Sequence, residues 1–413
     1  MTLRLPAFWV QILIGLVLGV ITGIILNAES GIVSKEALPP FLGWLKAPGD
    51  IFLNLLQMIM VPLIISSISI GVSSLQSISE LMRLGSRTLI YFTTTSFLAI
   101  VIGITLATWI EPGQYIQIDL VESSKIIDVK QEEMSLPSAI SNLIPKNLIQ
   151  VWYKQEMLSL VIFGIFLGVF FLVSKEHSQA LKSVFLSIEH FCIWVVSIAM
   201  KLAPLAVFGL MSYALVHVGF SLLTGLLSYV STVLLGLTLV LILYLILIFG
   251  FTRTNPFYFL WKIREIPILG FSTSSSSSVL PYSLQVSKEK VGIQNKIADF
   301  VIPLGATINM DGTALYQAVA TVFLAQVYQV QLDFINLSLL AVTVTAASIG
   351  TAATPGVGIV ILAGILQTFH IPLEGITILF GVDRILDMCR TSVNLTGDQT
   401  AAYIMNHYWK ENT

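Results

Sequence analysis

Long stretches without a charged residue are the feature that most limits how this chain can fold. Four of them run from Ala7 to Ala28, Ile51 to Ser79, Thr88 to Ile110 and Met157 to Ser174. Each can cross about 30 Å of hydrocarbon as a helix. Two further spanning helices are predicted from about Ser183 to Val218 and from Leu222 to Gly250. Because 55% of the 413 residues are hydrophobic and only 11% are charged, we predict an all-α polytopic membrane protein.

The charge pattern and the two cysteines exclude several functions. A net charge of −2, scattered along the chain, gives no surface for nucleic acid. Cys192 and Cys389 lie in apolar segments without metal-ligand spacing. Small solutes and membrane lipid are therefore the expected partners. Because basic residues cluster at alternate ends of the helices, we expect a plasma membrane protein with a cytoplasmic N-terminus.

Five ionisable residues fall within one otherwise apolar segment near the C-terminus: Asp383, Arg384, Asp387, Arg390 and Asp398. Each would cost roughly 2.5 to 3.5 kcal/mol at mid-membrane on insertion scales, so they must face protein or a water-filled cavity. At about 100° per residue, the three aspartates share one helix face with Thr391 and Asn394. This polar stripe predicts a ligand or ion site. The alternative is a salt-bridge ladder that joins two helices.

Two apolar segments, Ile266 to Ser287 and Phe334 to Leu373, are each interrupted by Ser, Thr, Gly or Pro. Each is predicted to be two short helices meeting at an unwound tip. Unpaired backbone groups cost several kcal/mol in lipid, so these tips should line a cavity, as in the binding sites of transporters. A soluble linker and an intramembrane serine hydrolase or acyltransferase are alternatives for the serine run.

A third interruption, from Gly305 to Thr313, divides the apolar stretch Ala298 to Val330. The two glycines at Gly305 and Gly312 permit local unwinding. Backbone carbonyls could then join Asn309 and Asp311 as oxygen ligands of an alkali or hard divalent cation. A helix kink with a capped carboxylate is the alternative.

These motifs occur in one order: the serine-rich tip, Asn309-Met310-Asp311-Gly312-Thr313, the Gly350-to-Gly356 tip, and the Asp387-to-Asp398 stripe. Together they resemble the glutamate transporter family, the dicarboxylate/amino acid:cation symporters. The resemblance covers nearly the whole chain. It implies eight transmembrane helices, two re-entrant helical hairpins, a homotrimer, and elevator-type movement of a transport domain against a scaffold.

The resemblance also implies a substrate site. Arg390 matches the residue that binds the side-chain carboxylate of the substrate, and Asp387 matches the residue that binds its ammonium group. The chemistry agrees, because a guanidinium binds a carboxylate through two parallel hydrogen bonds. The remaining members of the implied substrate set are Ser275, Ser276, Thr313, Thr354, Gly358, Thr391 and Asn394.

Three sodium sites are implied in the same way. The first comprises Gly305, Asn309, Asn394 and Asp398, the second Thr307, Ser348, Ile349 and Thr351, and the third Thr95, Ser96, Asn309 and Asp311. Sodium is the implied coupled ion, and no organic cofactor is expected. Gln317 stands where animal relatives carry a proton-binding glutamate, which argues against proton cotransport in their manner.

The resulting expectation is a sodium-driven symporter of aspartate or glutamate that is not an enzyme, with the second hairpin as its gate. A proton-coupled glutamate or C4-dicarboxylate carrier and an anion channel are the alternatives. Some archaeal relatives have an arginine where this chain has Ser274, and Arg384 could supply that charge.

The chain is expected to divide into four parts. Residues 1–86 hold helices 1 and 2, residues 87–110 hold helix 3, and residues 111–252 hold a polar surface loop and helices 4 to 6. The transport core, 253–413, comprises hairpin 1 (254–289), helix 7 (291–330), hairpin 2 (334–370) and helix 8 (371–406).

Overall fold

The computed structural model describes residues 8–26, 38–73, 81–116, 147–154, 157–218, 221–348 and 356–411. Within these ranges the protein is helical apart from short turns, and none of the described residues is in a strand. Most of the predicted polar loop, 111–156, lies outside them, as do residues 349–355 at the predicted tip of the second hairpin.

Seven helices make up the first part of the described chain. They are α1 (Phe8–Leu26), α2 (Leu38–Ser73), α3 (Leu81–Ile110), α4 (Leu148–Lys154), α5 (Met157–Val173), α6 (Lys175–Val218) and α7 (Ser221–Thr252). A short 3₁₀ turn, Pro112–Tyr115, follows α3. Three helical segments among the described residues are long and apolar enough to cross a membrane: Leu84–Tyr115, Glu176–Ala199 and Ser221–Thr252.

Small residues bring α1, α2, α5 and α6 into close contact. An added Cβ on Gly19 would lie 2.7 Å from the carbonyl oxygen of Phe208 in α6. An added Cβ on Gly168 of α5 would lie 2.8 Å from the carbonyl oxygen of Ser69 in α2. Lipid provides no hydrophobic force between helices, so the van der Waals contacts that such close backbone approach allows contribute to their packing.

The second part of the described chain contains shorter helices followed by one long helix. They are α8 (Pro256–Ile263), α9 (Glu265–Thr273), α10 (Ser276–Val286), α11 (Asn295–Ile308), α12 (Asp311–Val327), α13 (Phe334–Ser348), α14 (Val357–Thr368) and α15 (Ile376–Glu411). Helix α12 is buried over almost its whole length and contacts α3, α7 and α15. The functional side chains described below cluster around it.

The predicted interruptions are confirmed at two places. Helices α9 and α10 meet at Ser274, whose φ of 52° is left-handed, and Ser275, whose backbone is extended. Helices α11 and α12 meet at Asn309 and Met310, which are both non-helical. The helix breaks predicted for hairpin 1 and for the seventh helix are therefore present in the structure.

The structure differs from the prediction at one helix boundary and in one additional helix. Helix α6 begins at Lys175 rather than near Ser183, because Lys, Glu, Gln, Ala and Leu in residues 175–182 favour helix even where charge makes a membrane core unsuitable. Helix α8 was not predicted. Its start is marked by Asn255, whose side chain accepts hydrogen bonds from Phe257 N and Tyr258 N, followed by Pro256 at the first helical position.

Candidate functional site

The polar stripe lies on the single continuous helix α15, as its spacing predicted. Asp383, Arg390, Asn394 and Asp398 are all buried, and Arg390 is only 1% exposed. Among the described residues, the ion pairs of the stripe join residues of this one helix. The alternative, a salt-bridge ladder that joins two helices, is therefore wrong for these ion pairs.

Arg390 is the centre of the stripe. Its Nη2 donates to Asp387 Oδ1 at 2.8 Å and to Asp383 Oδ1 at 3.2 Å. Its Cζ lies 3.8 Å from the ring centroid of Tyr316 on α12, a cation–π contact. Nε and Nη1 make no hydrogen bond to any described residue although both are buried. A buried guanidinium with two such N–H groups has the chemistry to bind a carboxylate.

Arg384 contacts the same carboxylate group from the other side. Its Nη1 donates to Asp387 Oδ2 at 3.3 Å, while Asp387 Oδ1 accepts from Arg390. The carboxylate of Asp387 is thus held between two arginines of its own helix. Arg384 therefore lies where its charge can affect the electrostatics of Asp387.

The second hairpin reaches Arg390 through α14. An added Cβ on Gly358 would lie 3.5 Å from Arg390 Nη1 and 3.4 Å from Thr313 Cγ2. Asn394 Nδ2 donates to Thr313 Oγ1 at 3.3 Å, and Asn394 Oδ1 accepts from Gly312 N at 2.7 Å. The structure therefore brings together Thr313, Gly358, Asp387, Arg390 and Asn394 of the predicted substrate set. Thr354 lies outside the described residues.

The first hairpin lies against the same helix. Ser392 Oγ of α15 donates to the carbonyl oxygen of Pro267 in α9 at 2.8 Å. An added Cβ on Gly270 would be 3.4 Å from Thr391 Cγ2, so Thr391 faces this hairpin. At the tip, Ser275 and Ser276 are 6% and 3% exposed. Their burial contradicts the alternative of a soluble linker.

Three members of the first predicted cation set, Gly305, Asn309 and Asp398, lie next to one another. Asn309 Nδ2 donates to Asp398 Oδ1 at 3.0 Å. Gly305 is adjacent, since an added Cβ there would overlap the Asp398 carboxylate. Asn309 Oδ1 and Asp398 Oδ2 are buried without a hydrogen-bond partner among the described residues. Asn394 instead directs its side chain toward Met310 to Thr313. Two such oxygens, one of them a carboxylate oxygen, fit a small hard cation.

The third predicted set is centred on Asp311, which is fully buried. Ser96 Oγ donates to Asp311 Oδ1, and Tyr244 Oη donates to Asp311 Oδ2 at 2.7 Å. Thr95 Oγ1 donates to the carbonyl oxygen of Phe92 in its own helix. Both oxygens of Asp311 are thus engaged, as the alternative of a capped carboxylate at a helix break requires.

The second predicted set is only partly described. Thr307 Oγ1 donates to the carbonyl oxygen of Pro303, and Ser348 Oγ to that of Thr345, so each bonds to its own helix. Ile349 and Thr351 lie outside the described residues. This set stays a prediction.

Comparison with known proteins places the chain in one family. The model of the sodium:dicarboxylate symporter family matches residues 8–408. The chain belongs to this family. It is 34% identical over 403 residues to the proton/sodium-glutamate symport protein of Bacillus subtilis, covering 96% of this chain and 92% of that protein. This membership identifies a helical membrane transporter, as the sequence resemblance predicted.

Other members of the sodium:dicarboxylate symporter family are similarly close. The proton/glutamate-aspartate symporter of Escherichia coli is 33% identical, over 96% of this chain and 91% of that protein. The neutral amino acid transporter B(0) of Oryctolagus cuniculus is also 33% identical, over 95% of this chain and 79% of that protein. The names of these relatives include both acidic and neutral substrates, and both protons and sodium.

Sequence reasoning missed three residues of this candidate site. Tyr316 stacks on Arg390, Tyr244 bonds to Asp311, and Gly397 lies where α15 meets both Tyr244 and Asn309. For Tyr316 a signal existed, since it follows Thr313 by one helical turn and so shares its face. Tyr244 stands 67 residues from Asp311, and no local pattern connects them.

Arg384→Ala is expected to weaken binding of an acidic substrate by roughly threefold to tenfold. The reason is that removing the positive charge beside the partly buried Asp387 changes the electrostatic part of the binding free energy by about 1 kcal/mol. Equilibrium binding of labelled aspartate to the purified protein would measure this. Arg87→Ala, which removes an exposed arginine of α3, is the matched control. Unchanged binding, exchange and transport in Arg384→Ala would show that Arg384 has no such role.

Gly397→Ala is expected to lower stability by about 1 to 3 kcal/mol, as overpacking usually does. The added Cβ would lie 2.6 Å from Tyr244 Oη and 2.7 Å from Asn309 Nδ2. Gly250→Ala, also in a helix, is the control, because a Cβ there meets nothing within 4 Å. Melting temperatures of the two variants in detergent, with and without sodium, would test this. Equal melting temperatures would contradict the close packing at Gly397.

Proposed function

We propose that this chain is a secondary active symporter that takes up L-aspartate or L-glutamate with sodium ions. The observation that carries the proposal is Arg390, a buried guanidinium in a transporter helix with Nε and Nη1 unbonded to the described residues. A substrate carboxylate would complete its hydrogen bonds, and Asp387 would bind the substrate ammonium. The names of the Bacillus and Escherichia relatives, which specify glutamate or glutamate and aspartate, support this substrate class.

Sodium is proposed as the coupled ion. Asn309 Oδ1 and Asp398 Oδ2 are acceptors in need of a positive or hydrogen-bonding partner, and Gly305 allows the backbone of α11 to approach the carboxylate. Thr95, Ser96 and Asp311 are proposed for a further sodium ion, with Thr307, Ser348, Ile349 and Thr351 for another. Because a ligand shifts an equilibrium only through different affinities for two states, sodium must raise substrate affinity and substrate must raise sodium affinity equally.

The transport movement is proposed to be of the elevator type, with eight transmembrane helices, two hairpins and a homotrimer in the plasma membrane, and with the N-terminus in the cytoplasm. The core at 253–413 would move against a scaffold drawn from the earlier helices. Hairpin 2 is proposed as the gate. Its second arm places Gly358 next to Arg390, so opening that arm would expose the substrate site.

Proton coupling is the second candidate, on the same fold. It is favoured by the Escherichia coli relative, whose name specifies protons, and by two buried carboxylates, Asp311 and Asp398. A C4-dicarboxylate carrier would share Arg390 but has no use for an ammonium-binding Asp387. An anion channel would share the positive charge but would not accumulate its substrate.

Uptake of radiolabelled L-aspartate into proteoliposomes separates these candidates. An inward sodium gradient should give concentrative uptake that glutamate inhibits and succinate does not. Uptake driven by a proton gradient alone would show that the coupled ion is the proton and not sodium. Inhibition by succinate would show that the substrates include C4-dicarboxylates. Flux without accumulation would indicate a channel.

A further inference from the structure

The helix α8 exposes a row of aromatic side chains immediately after a membrane-spanning segment. Phe257, Tyr258 and Trp261 are 72%, 56% and 64% exposed. The helix follows the candidate span that ends at Thr252, so it begins near the end of the hydrocarbon layer. Aromatic rings with a polar edge are enriched at this level of a membrane, between acyl chains and water.

The opposite face of α8 fixes this row to the body of the protein. Phe259 and Ile263 are buried. The Phe259 ring packs on Tyr403 of α15 with a centroid distance of 5.0 Å, and Tyr403 Oη donates to Thr254 Oγ1 at 3.1 Å. The exposed row is therefore a rigid feature, held by the same helix that carries Arg390.

Three cations accompany the aromatic rings. Arg264 Cζ lies 3.8 Å from the Trp261 ring centroid, and Lys262 Nζ lies 4.9 Å from that of Tyr258. Arg253 Cζ lies 6.0 Å from the ring centroid of Phe249, a residue of α7.

The sequence contains no Asp or Glu between Glu189 and Glu265. Glu265 is itself engaged by Lys290, at 2.7 Å, and by Tyr282. The surface from Arg253 to Arg264 is thus positive and aromatic, with its nearest acidic neighbour in sequence already paired.

We propose that this surface, residues 253–264, is a docking site for the headgroups of anionic phospholipids. Cations at the edge of a membrane attract anionic headgroups, and the aromatic rings would lie against the first carbons of the acyl chains. The inference does not depend on which solute the protein transports. If the elevator proposal is correct, the lipid contact is made by the moving core, and anionic lipid would affect its movement.

Binding of short-chain dihexanoyl phosphatidylglycerol and dihexanoyl phosphatidylcholine to the full-length protein in neutral detergent would test this. Each cation near an anionic surface is worth roughly a fivefold change in binding. We expect phosphatidylglycerol to bind at least about fivefold more tightly, and this preference should decrease at high salt. The preference should be lost in the variant Arg253→Gln/Lys262→Gln/Arg264→Gln.

The control variant is Arg87→Gln/Lys182→Gln/Lys201→Gln, which removes the same charge from other helices and should retain the preference. Equal binding of the two lipids by the unmodified protein would overturn the proposal without any variant. An equal loss of the preference for phosphatidylglycerol in the control variant would show that the preference depends only on the net charge of the protein. That result would also overturn the proposal. Competition by glycerol 3-phosphate at the same concentration would identify a site for soluble phosphate esters instead of lipid.

Discussion

Replacing Arg390 with cysteine is expected to abolish tight binding of aspartate and glutamate, with a loss of affinity of roughly 30-fold to several thousand-fold. Truncation of a buried, hydrogen-bonded charge typically costs about 2 to 5 kcal/mol. In this protein the loss has two sources. The substrate carboxylate would lose its bidentate hydrogen-bond donor. Asp383 and Asp387 would lose their hydrogen bonds from Arg390 Nη2, which lies 3.2 Å from Asp383 Oδ1 and 2.8 Å from Asp387 Oδ1.

The variant Arg390→Lys separates the contribution of the positive charge from that of the guanidinium geometry. Lysine keeps the positive charge beside Asp383 and Asp387 but lacks the planar fork and its stacking on Tyr316. We expect Arg390→Lys to fold normally and to bind aspartate more weakly than the unmodified protein but more tightly than Arg390→Cys. Calorimetric titration in sodium would give all three affinities.

The cysteine variant also tests substrate selectivity. Without the guanidinium, a small neutral amino acid such as serine or alanine no longer leaves a buried cation unpaired. We expect measurable binding of such a substrate by Arg390→Cys and none by the unmodified protein. Retention of aspartate affinity in Arg390→Cys would remove the assignment of Arg390 to the substrate carboxylate.

The helical stripe on α15 was predictable because its chemistry is local. Charged residues inside an apolar segment must share a protected face, and the period of the helix determines which residues do so. Asp387, Arg390 and Asn394 accordingly lie together as predicted. The start of α8 was also readable, since Asn255-Pro256 is a capping signal followed by a favoured first residue. It was missed because the apolar residues around it were assigned to a re-entrant hairpin.

The glycines near the broken helix have a role in helix packing that the sequence did not predict. Gly305 and Gly312 were predicted to permit local unwinding, yet both are helical and the break falls at Asn309 and Met310. Each glycine is instead required for contact with α15, since an added Cβ on Gly312 would lie 2.9 Å from the Arg390 carbonyl oxygen. Such contacts depend on how distant helices pack, which a single sequence does not specify.

Asp398→Asn is expected to raise the sodium concentration needed for half-maximal aspartate binding by at least about tenfold. Asparagine preserves the shape of the side chain and can still accept from Asn309 Nδ2 through its amide oxygen. What it removes is the capacity of a fully buried side chain to carry a negative charge opposite a bound cation, and electrostatic interactions are strongest in such an environment.

Reciprocal coupling makes this prediction specific to a cation site. Aspartate affinity should decrease in Asp398→Asn at low sodium and recover at saturating sodium, because the substrate contacts at Arg390 are intact. Asp299→Asn is the control, since that carboxylate, in α11 with Gly305, is 54% exposed and pairs with Lys288. Aspartate binding measured across a sodium titration would separate the outcomes. The sodium dependence of aspartate binding could instead be the same in Asp398→Asn and the unmodified protein, with only the pH dependence changed. That result would make Asp398 a proton carrier and favour the proton-coupled alternative.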